Sequence, residues 1–159
     1  MARMAAAIIA VAREFEVDLV LDLHESWGFY LERGANGGTA FIGQTVAKGN
    51  GPLPNSYFSE AVAAVNARVT PREELTFRER IGQPNPNASP SATPSSTPTP
   101  GIGGVLPGGA GTSSLSIGVH VPGATAVLIE MGQISQAESR RSTLHQLLAT
   151  EILTRHGTL

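Results

Sequence analysis

Residues 17–30 constrain the fold of this chain more than any other segment. Positions 17–23 form a nearly continuous apolar run, which predicts a strand buried on both faces. The run stops at His24 and Glu25, and Gly28 then allows a turn. Because ligands of open α/β sheets bind outside the carboxyl ends of the strands, His24 and Glu25 are the first candidates for a functional site. A strand-end histidine with only a structural hydrogen bond would fit the same pattern.

A helix is predicted directly before this strand, over residues 3–15. Four apolar residues recur at helical spacing and predict one stripe that packs on the sheet: Met4, Ile8, Val11 and Phe15. Arg13 and Glu14 cut the apolar stretch short, so it is interpreted as this helix and not as a signal peptide. Since no apolar stretch is long enough to cross a bilayer, the sequence favours a cytoplasmic protein that does not act at a membrane.

The middle of the chain contains a second predicted helix, which Asn55 or Ser56 caps and Pro71 closes. Its apolar stripe consists of Phe58, Val62, Val65 and Val69. Short strands are predicted on either side of this helix, at residues 39–42 and 75–81.

Residues 83–111 are rich in proline, serine, threonine and glycine and offer almost no apolar surface. We therefore expect this segment to be a disordered insertion. Apolar structure resumes after this segment, so the sequence predicts that residues 1–159 form a single domain. The alternative, a linker between two domains, would leave a C-terminal piece of about 50 residues, near the lower limit for independent folding.

Two strands and a long helix are predicted for the C-terminal part. The strands lie at residues 115–121 and 124–129, and the spacing of Ser135 and Glu138 predicts a capping box that opens the helix. The predicted buried face of the helix consists of Ala137, Leu144, Leu147, Leu148 and Ile152. Alternating strands and helices of this kind predict an α/β fold with a mixed or mainly parallel sheet between helices.

Glu130 directly follows the last of these strands, as His24 follows the first strand of the chain. Two polar groups at the ends of strands in one sheet are a stronger indication of a site than either group alone. Asp22 is expected on the opposite face of the strand from His24 and is given no role. His120, His145 and His156 are not assigned as metal ligands.

Composition restricts the chemistry of such a site. The chain has no cysteine, so His, Asp and Glu are the remaining candidates for zinc ligands. Its formal net charge of −2 gives no indication of nucleic-acid binding.

The segments Leu-Asp-Leu-His-Glu at residues 21–25 and Ala-Val-Leu-Ile-Glu-Met-Gly at residues 126–132 resemble the zinc carboxypeptidase superfamily. Within it, they are closer to the succinylglutamate desuccinylase/aspartoacylase branch and related deacylases. The resemblance covers residues 15–30 and 112–155, in the order in which the family carries these segments. It implies a zinc-carboxypeptidase-like fold for the α/β domain.

In that superfamily, a His-x-x-Glu motif supplies two zinc ligands, a later strand-end histidine supplies the third, and a C-terminal glutamate acts as general base on metal-activated water. The resemblance therefore implies that His24 is a zinc ligand and Glu130 the catalytic base. It implies a zinc-dependent hydrolase of amide C–N bonds, metallocarboxypeptidase-like or deacylase-like, that acts on a small-molecule or peptide amide. Its substrate-binding residues are not identified.

The His-x-x-Glu motif does not occur in this sequence. The resemblance thus implies that the chain is the C-terminal part of a family domain, whose first ligands lie upstream or on another chain. One zinc ion is expected in the complete domain, with weak or absent zinc binding and little activity for this chain alone. Peptidase-specific residues are not recognisable at residues 103–121. This weakens the expectation of peptide cleavage and favours hydrolysis of another kind of amide, such as deacylation.

A function of another class also fits the residues. The chain would then be a non-catalytic α/β module whose segment at residues 83–101 docks partners or serves as a flexible tether. Sensitivity to chelators separates this alternative from the hydrolase.

Overall fold

The computed structural model describes residues 2–79 and 114–159 of the chain, so the predicted insertion at residues 83–111 lies outside the described residues. The helices are α1 (Ala2–Glu14), α2 (Tyr30–Arg33), α3 (Asn55–Asn66), α4 (Ile117–His120) and α5 (Glu138–His156). The strands are β1 (Leu19–Ser26), β2 (Thr45–Lys48), β3 (Thr76–Glu79) and β4 (Thr125–Gly132). Short 3₁₀ turns lie at Gly34–Phe41, Pro71–Glu73 and Ser114–Ser116.

The four strands form one mixed sheet in the order β1-β4-β2-β3. β1 pairs with β4 in parallel, β4 pairs with β2 antiparallel, and β2 pairs with β3 in parallel. The predicted α/β class, with a mixed sheet flanked by helices, is confirmed.

One face of the sheet packs against α3 and α5. Val127, Ile129 and Met131 alternate along β4 and contribute to the core on this face. The helices contribute the buried side chains of Phe58, Val62, Val65, Leu144, Leu148 and Ile152. These residues include most of the stripes predicted for the two helices. Both helices form, but Pro54 and not Asn55 or Ser56 is the N-cap of α3, and α3 ends at Asn66, before Val69.

The opposite face packs against α1 and α4. Ala126 of β4 and Val20 of β1 contact Ala12 and Ile117 on this side, with Val121 beside them. Since both faces are covered, every residue of β4 is buried. Among the described residues, no helix is long and apolar enough to span a membrane.

The helix α1 forms as predicted, but it presents a different face to the sheet. Ile8, Val11 and Phe15 are each more than half exposed, whereas Ala12 is buried and Ile9 packs beside it. The side chain of Met4 lies outside the described part. The predicted stripe is therefore wrong for these three residues. A small side chain at position 12 suits a close approach of the helix to the sheet, and larger residues are left outside.

The prediction that β1 is buried on both faces is also wrong. In the described sheet, β1 is an edge strand that pairs only with β4. Leu19 to Asp22 are half-buried and Leu23 is nearly half exposed. An apolar run is consistent with a central strand, but it does not determine how many strands pair with it.

Two of the predicted strands do not form. Residues 39–42 fall largely in the 3₁₀ turn Gly34–Phe41, and the strand comes later, at β2. Residues 115–121 contain a 3₁₀ turn and then α4. There a Cβ at Gly118 would lie 2.6 Å from the carbonyl oxygen of Ala124, so this turn requires glycine for its close packing. Periodicity alone does not separate short apolar helices from strands.

The predicted capping box at the start of α5 is absent. The helix begins at Glu138, with Ala137 as its N-cap, and Ser135 has a positive φ of 52°. An N-cap residue adopts an extended backbone, so Ser135 does not cap this helix. Leu147 is partly buried, and Ala137 is exposed.

The turn Pro71–Glu73 is tied to α5 by an ion pair. Glu73 accepts hydrogen bonds from Arg140 Nε at 2.5 Å and Nη2 at 2.8 Å, and from the Thr70 N–H at 3.1 Å. The hydrogen bonds from Arg140 are the main reason that the pKa of Glu73 falls from its ordinary 4.5 to about 2.

Replacing Glu73 with glutamine is expected to lower the free energy of unfolding by about 1–2 kcal/mol at pH 7, because Arg140 is partly exposed and solvent screens the pair. The folded-state pKa lies below the unfolded-state value, so this stabilisation is present above pH 4.5 and is lost as the pH falls towards 2. Urea unfolding at a series of pH values measures it. Glu74→Gln is the control, and a difference between wild type and Glu73→Gln that stays constant down to pH 2 would contradict this assignment.

Candidate functional site

A row of polar residues crosses the sheet at the carboxyl ends of β1 and β4. His24 is paired in register with Glu130, Glu130 with Thr45, and Thr45 with Thr76. These four side chains share the face covered by α1 and α4, because side chains alternate along each strand. The two candidates from the sequence, His24 and Glu130, are thus direct neighbours.

His24 and Glu130 differ in their environment. The side chain of His24 is 56% exposed and that of Glu130 only 6%, and His24 Nδ1 lies 4.0 Å from Glu130 Oε1. That separation is too long for a hydrogen bond and short enough for both groups to act on one small ligand. The geometry places a buried carboxylate beside an imidazole that solvent reaches.

Asp22 belongs to this site, contrary to the expectation that it faces away from His24. It precedes His24 by two residues, and residues two apart point to the same face of a strand. Its Oδ1 lies 3.1 Å from His24 Nε2. Its Oδ2 accepts a hydrogen bond from the hydroxyl of Ser114. The alternation along β1 carried the signal for Asp22, whereas Ser114 is 92 positions away and no local pattern predicts its contact.

Glu25, the other member of the initial pair, points to the opposite face and takes no part in the site. It accepts hydrogen bonds from Arg141 Nε at 2.6 Å and from Gln133 Nε2 at 3.0 Å. The hydrogen bond from Arg141 is the main reason that the pKa of Glu25 lies below its ordinary value. Glu25 therefore joins β1 to α5.

The remaining histidines lie away from His24 Nδ1. His145 is on α5, behind the sheet, where burial lowers the pKa of its imidazole and the carboxylate of Glu25 opposes that effect. His120 ends α4, and its carbonyl accepts hydrogen bonds from Arg13. His156 lies 3.5 Å from Asp18, at the far end of α5. Across residues 2–79 and 114–159, no three His, Asp or Glu side chains are grouped to hold a metal ion.

The loop after β1 is fixed against the end of β4. Gly28 donates its N–H to the carbonyl of Ala40 at 2.7 Å, and Gly43 donates to the carbonyl of Gly28 at 2.9 Å. The buried Gln44 accepts a hydrogen bond from the N–H of Gly132 at 3.0 Å. A Cβ at Gly43 would lie 2.4 Å from the Cα of Gly132, so this contact requires glycine. The packing holds the ends of β1 and β4, and hence the polar row, in a fixed position.

Comparison with known proteins found no relative of this chain. No family model, no curated protein and no solved structure matches the chain. The functional interpretation therefore rests on the resemblance of the two short segments and on the contacts of His24 and Glu130.

Proposed function

We propose that this chain contributes His24 and Glu130 to the active site of a zinc-dependent hydrolase of amide bonds, metallocarboxypeptidase-like or deacylase-like. The observation that carries the proposal is the pairing of these two residues at the ends of adjacent parallel strands, with Nδ1 and Oε1 4.0 Å apart. Strand ends of this kind are where α/β enzymes bind their ligands. The proposal implies a zinc-carboxypeptidase-like arrangement of the sheet.

The chemistry of the residues fits one ligand position of a zinc site. An imidazole nitrogen is a common zinc ligand, and the second nitrogen of such a histidine usually donates to a carboxylate. The neighbours of His24 suit this arrangement, because Asp22 Oδ1 lies 3.1 Å from Nε2 and Glu130 Oε1 lies 4.0 Å from Nδ1. Zinc, when bound, polarises the scissile carbonyl and lowers the pKa of water. His24 would hold the ion, and the remaining ligands would come from residues other than those described.

Glu130 would act as the general base and then as the general acid. A carboxylate beside the reacting carbon takes a proton from the attacking water and returns it to the nitrogen of the leaving amine. Oε1 is the oxygen of Glu130 that lies nearest to His24, so it is the atom on which we place this proton. Burial of the Glu130 side chain keeps its position fixed while His24 remains accessible to a substrate.

The edge of the sheet offers a place for the missing ligands. β1 pairs with β4 alone in the described sheet, although parallel strands are usually buried between neighbours. Leu23 on this edge, Ile8 and Val11 on α1 and Phe15 directly after α1 are exposed apolar residues. A polypeptide strand that paired with β1 would lie directly beside His24. We propose that such a strand, upstream in the sequence or on another chain, supplies the other zinc ligands.

The experiment is a hydrolysis assay on the protein purified from its own cells, with any polypeptide that co-purifies. N-acyl amino acids and short peptides are the substrates, and 1,10-phenanthroline followed by zinc is the treatment. Hydrolysis that the chelator removes and zinc restores is the expected result. Absence of hydrolysis, or hydrolysis indifferent to the chelator, would contradict the proposal and favour the non-catalytic module.

A further inference from the structure

The contacts of Asp22 determine which nitrogen of His24 carries the proton. Asp22 Oδ1 lies 3.1 Å from His24 Nε2, and a carboxylate oxygen at this distance favours a proton on Nε2, because it repels a lone pair there. In a neutral imidazole, the other nitrogen then has the lone pair. That nitrogen, Nδ1, is the one directed towards Glu130.

Asp22 is itself held in place. Its second oxygen, Oδ2, accepts the hydrogen bond from the Ser114 hydroxyl, so both carboxylate oxygens are engaged. The side chain of Asp22 is 27% exposed, whereas that of His24 is 56% exposed. The side chain of Asp22 is thus more buried than the imidazole of His24. Ser114 lies 92 positions from Asp22 in the sequence, so its contact links the orientation of His24 to the tertiary fold.

We propose that Asp22 is a positioning residue which, with Ser114, fixes His24 in the tautomer that leaves Nδ1 free for a ligand. The use of that lone pair for zinc rests on the proposed function, but the orientation of the imidazole does not. Carboxylates in this position orient histidine ligands and raise their basicity in metal sites generally. Asp22 acts through His24 and does not touch the reacting atoms.

The test is a two-bond ¹H–¹⁵N NMR spectrum of the full chain without metal, at alkaline pH, where imidazoles are neutral. We expect His24 to be in the Nε2–H form in the wild type. The share of the Nδ1–H form should rise in Asp22→Ala and rise less in Ser114→Ala. Asp22→Asn should shift the tautomer less than Asp22→Ala, because its side-chain oxygen can still accept a hydrogen bond although the charge is lost. It also serves as the folded comparison if the alanine variant is unstable.

Asp18→Ala is the matched control, because Asp18 lies beside His156 and not beside His24. It should change the signals of His156 and leave those of His24 unchanged. A wild-type His24 in the Nδ1–H form would overturn the inference. So would a His24 spectrum that is the same in the wild type, Asp22→Ala and Asp22→Asn.

Titration with zinc then separates this inference from the proposed function. We expect Asp22→Ala to bind zinc about 10–100-fold more weakly than the wild type, with a smaller change for Asp22→Asn. An Asp22-dependent tautomer in a protein that neither binds zinc nor hydrolyses amides would leave the positioning role intact and refute the hydrolase. Zinc-dependent hydrolysis with a tautomer independent of Asp22 would refute the positioning role alone.

Discussion

Replacing Glu130 with glutamine is expected to lower the rate of amide hydrolysis by a factor of about 10² to 10⁴, with zinc binding retained. Glutamine has nearly the shape of glutamate but takes up no proton at Oε1, the atom that faces His24. The loss should therefore fall on kcat and not on the affinity for zinc. The measurement is a comparison of kcat for the two proteins in the preparation that hydrolyses amides.

Glu25→Gln is the matched control for this substitution. Glu25 is paired with Met131, next to the His24–Glu130 pair, but its side chain lies on the opposite face. Its replacement should weaken the contact with Arg141 and leave kcat close to that of the wild type. If Glu130→Gln retains wild-type kcat, Glu130 is not the general base.

Replacing Phe58 with alanine is expected to lower the free energy of unfolding by about 3–5 kcal/mol. Phe58 is fully buried on α3, and its ring lies 4.9 Å from that of Tyr57 and 6.5 Å from that of Phe77. Its removal leaves a cavity between α3 and β3 that the surrounding residues fill only in part. Urea unfolding monitored by circular dichroism measures the change.

Phe15→Ala provides the control, since it deletes the same ring from the turn after α1, where Phe15 is 70% exposed. Surface substitutions of this kind usually change stability by less than about 0.5 kcal/mol. Equal losses for the two variants would contradict the described exposure of Phe15, and a small loss for Phe58→Ala would contradict the described packing of α3.

The contrast between these two phenylalanines also shows how far the sequence predicts the fold. Both lie in regular apolar stripes, and both were assigned to the core. The stripe of α3 is buried because the helix packs against the sheet beside α5, while the stripe of α1 faces outward. Periodicity identifies a helix and its apolar face, but the surface against which that face packs is a tertiary property.

The same limit applies to the strands. The apolar run of β4 predicted a buried strand, and β4 is covered on both sides. The equally apolar run of β1 lies at the edge of the described sheet, where Leu23 is exposed. Residues 115–121 have the pattern of a strand but form α4 and a 3₁₀ turn, in which Gly118 packs against the backbone of Asn50 and Ala124.

Half of the candidate site could be predicted from the sequence. His24 and Glu130 each follow an apolar run, and parallel pairing of β1 and β4 brings such strand ends together. The expectation that Asp22 faces away from His24 is wrong, because a separation of two residues along a strand indicates the same face. The contact with Ser114 depends on the path of the chain between distant segments, and no local sequence motif predicts it.

The most direct test of the central claim is an anomalous difference map at the zinc edge, from crystals grown with saturating zinc. The account predicts a peak about 2.0–2.1 Å from His24 Nδ1, on the side that faces Glu130. The peak should be absent in His24→Ala and present in His156→Ala. A His24 with no metal at Nδ1, or a zinc peak that is unchanged in His24→Ala, would contradict the account.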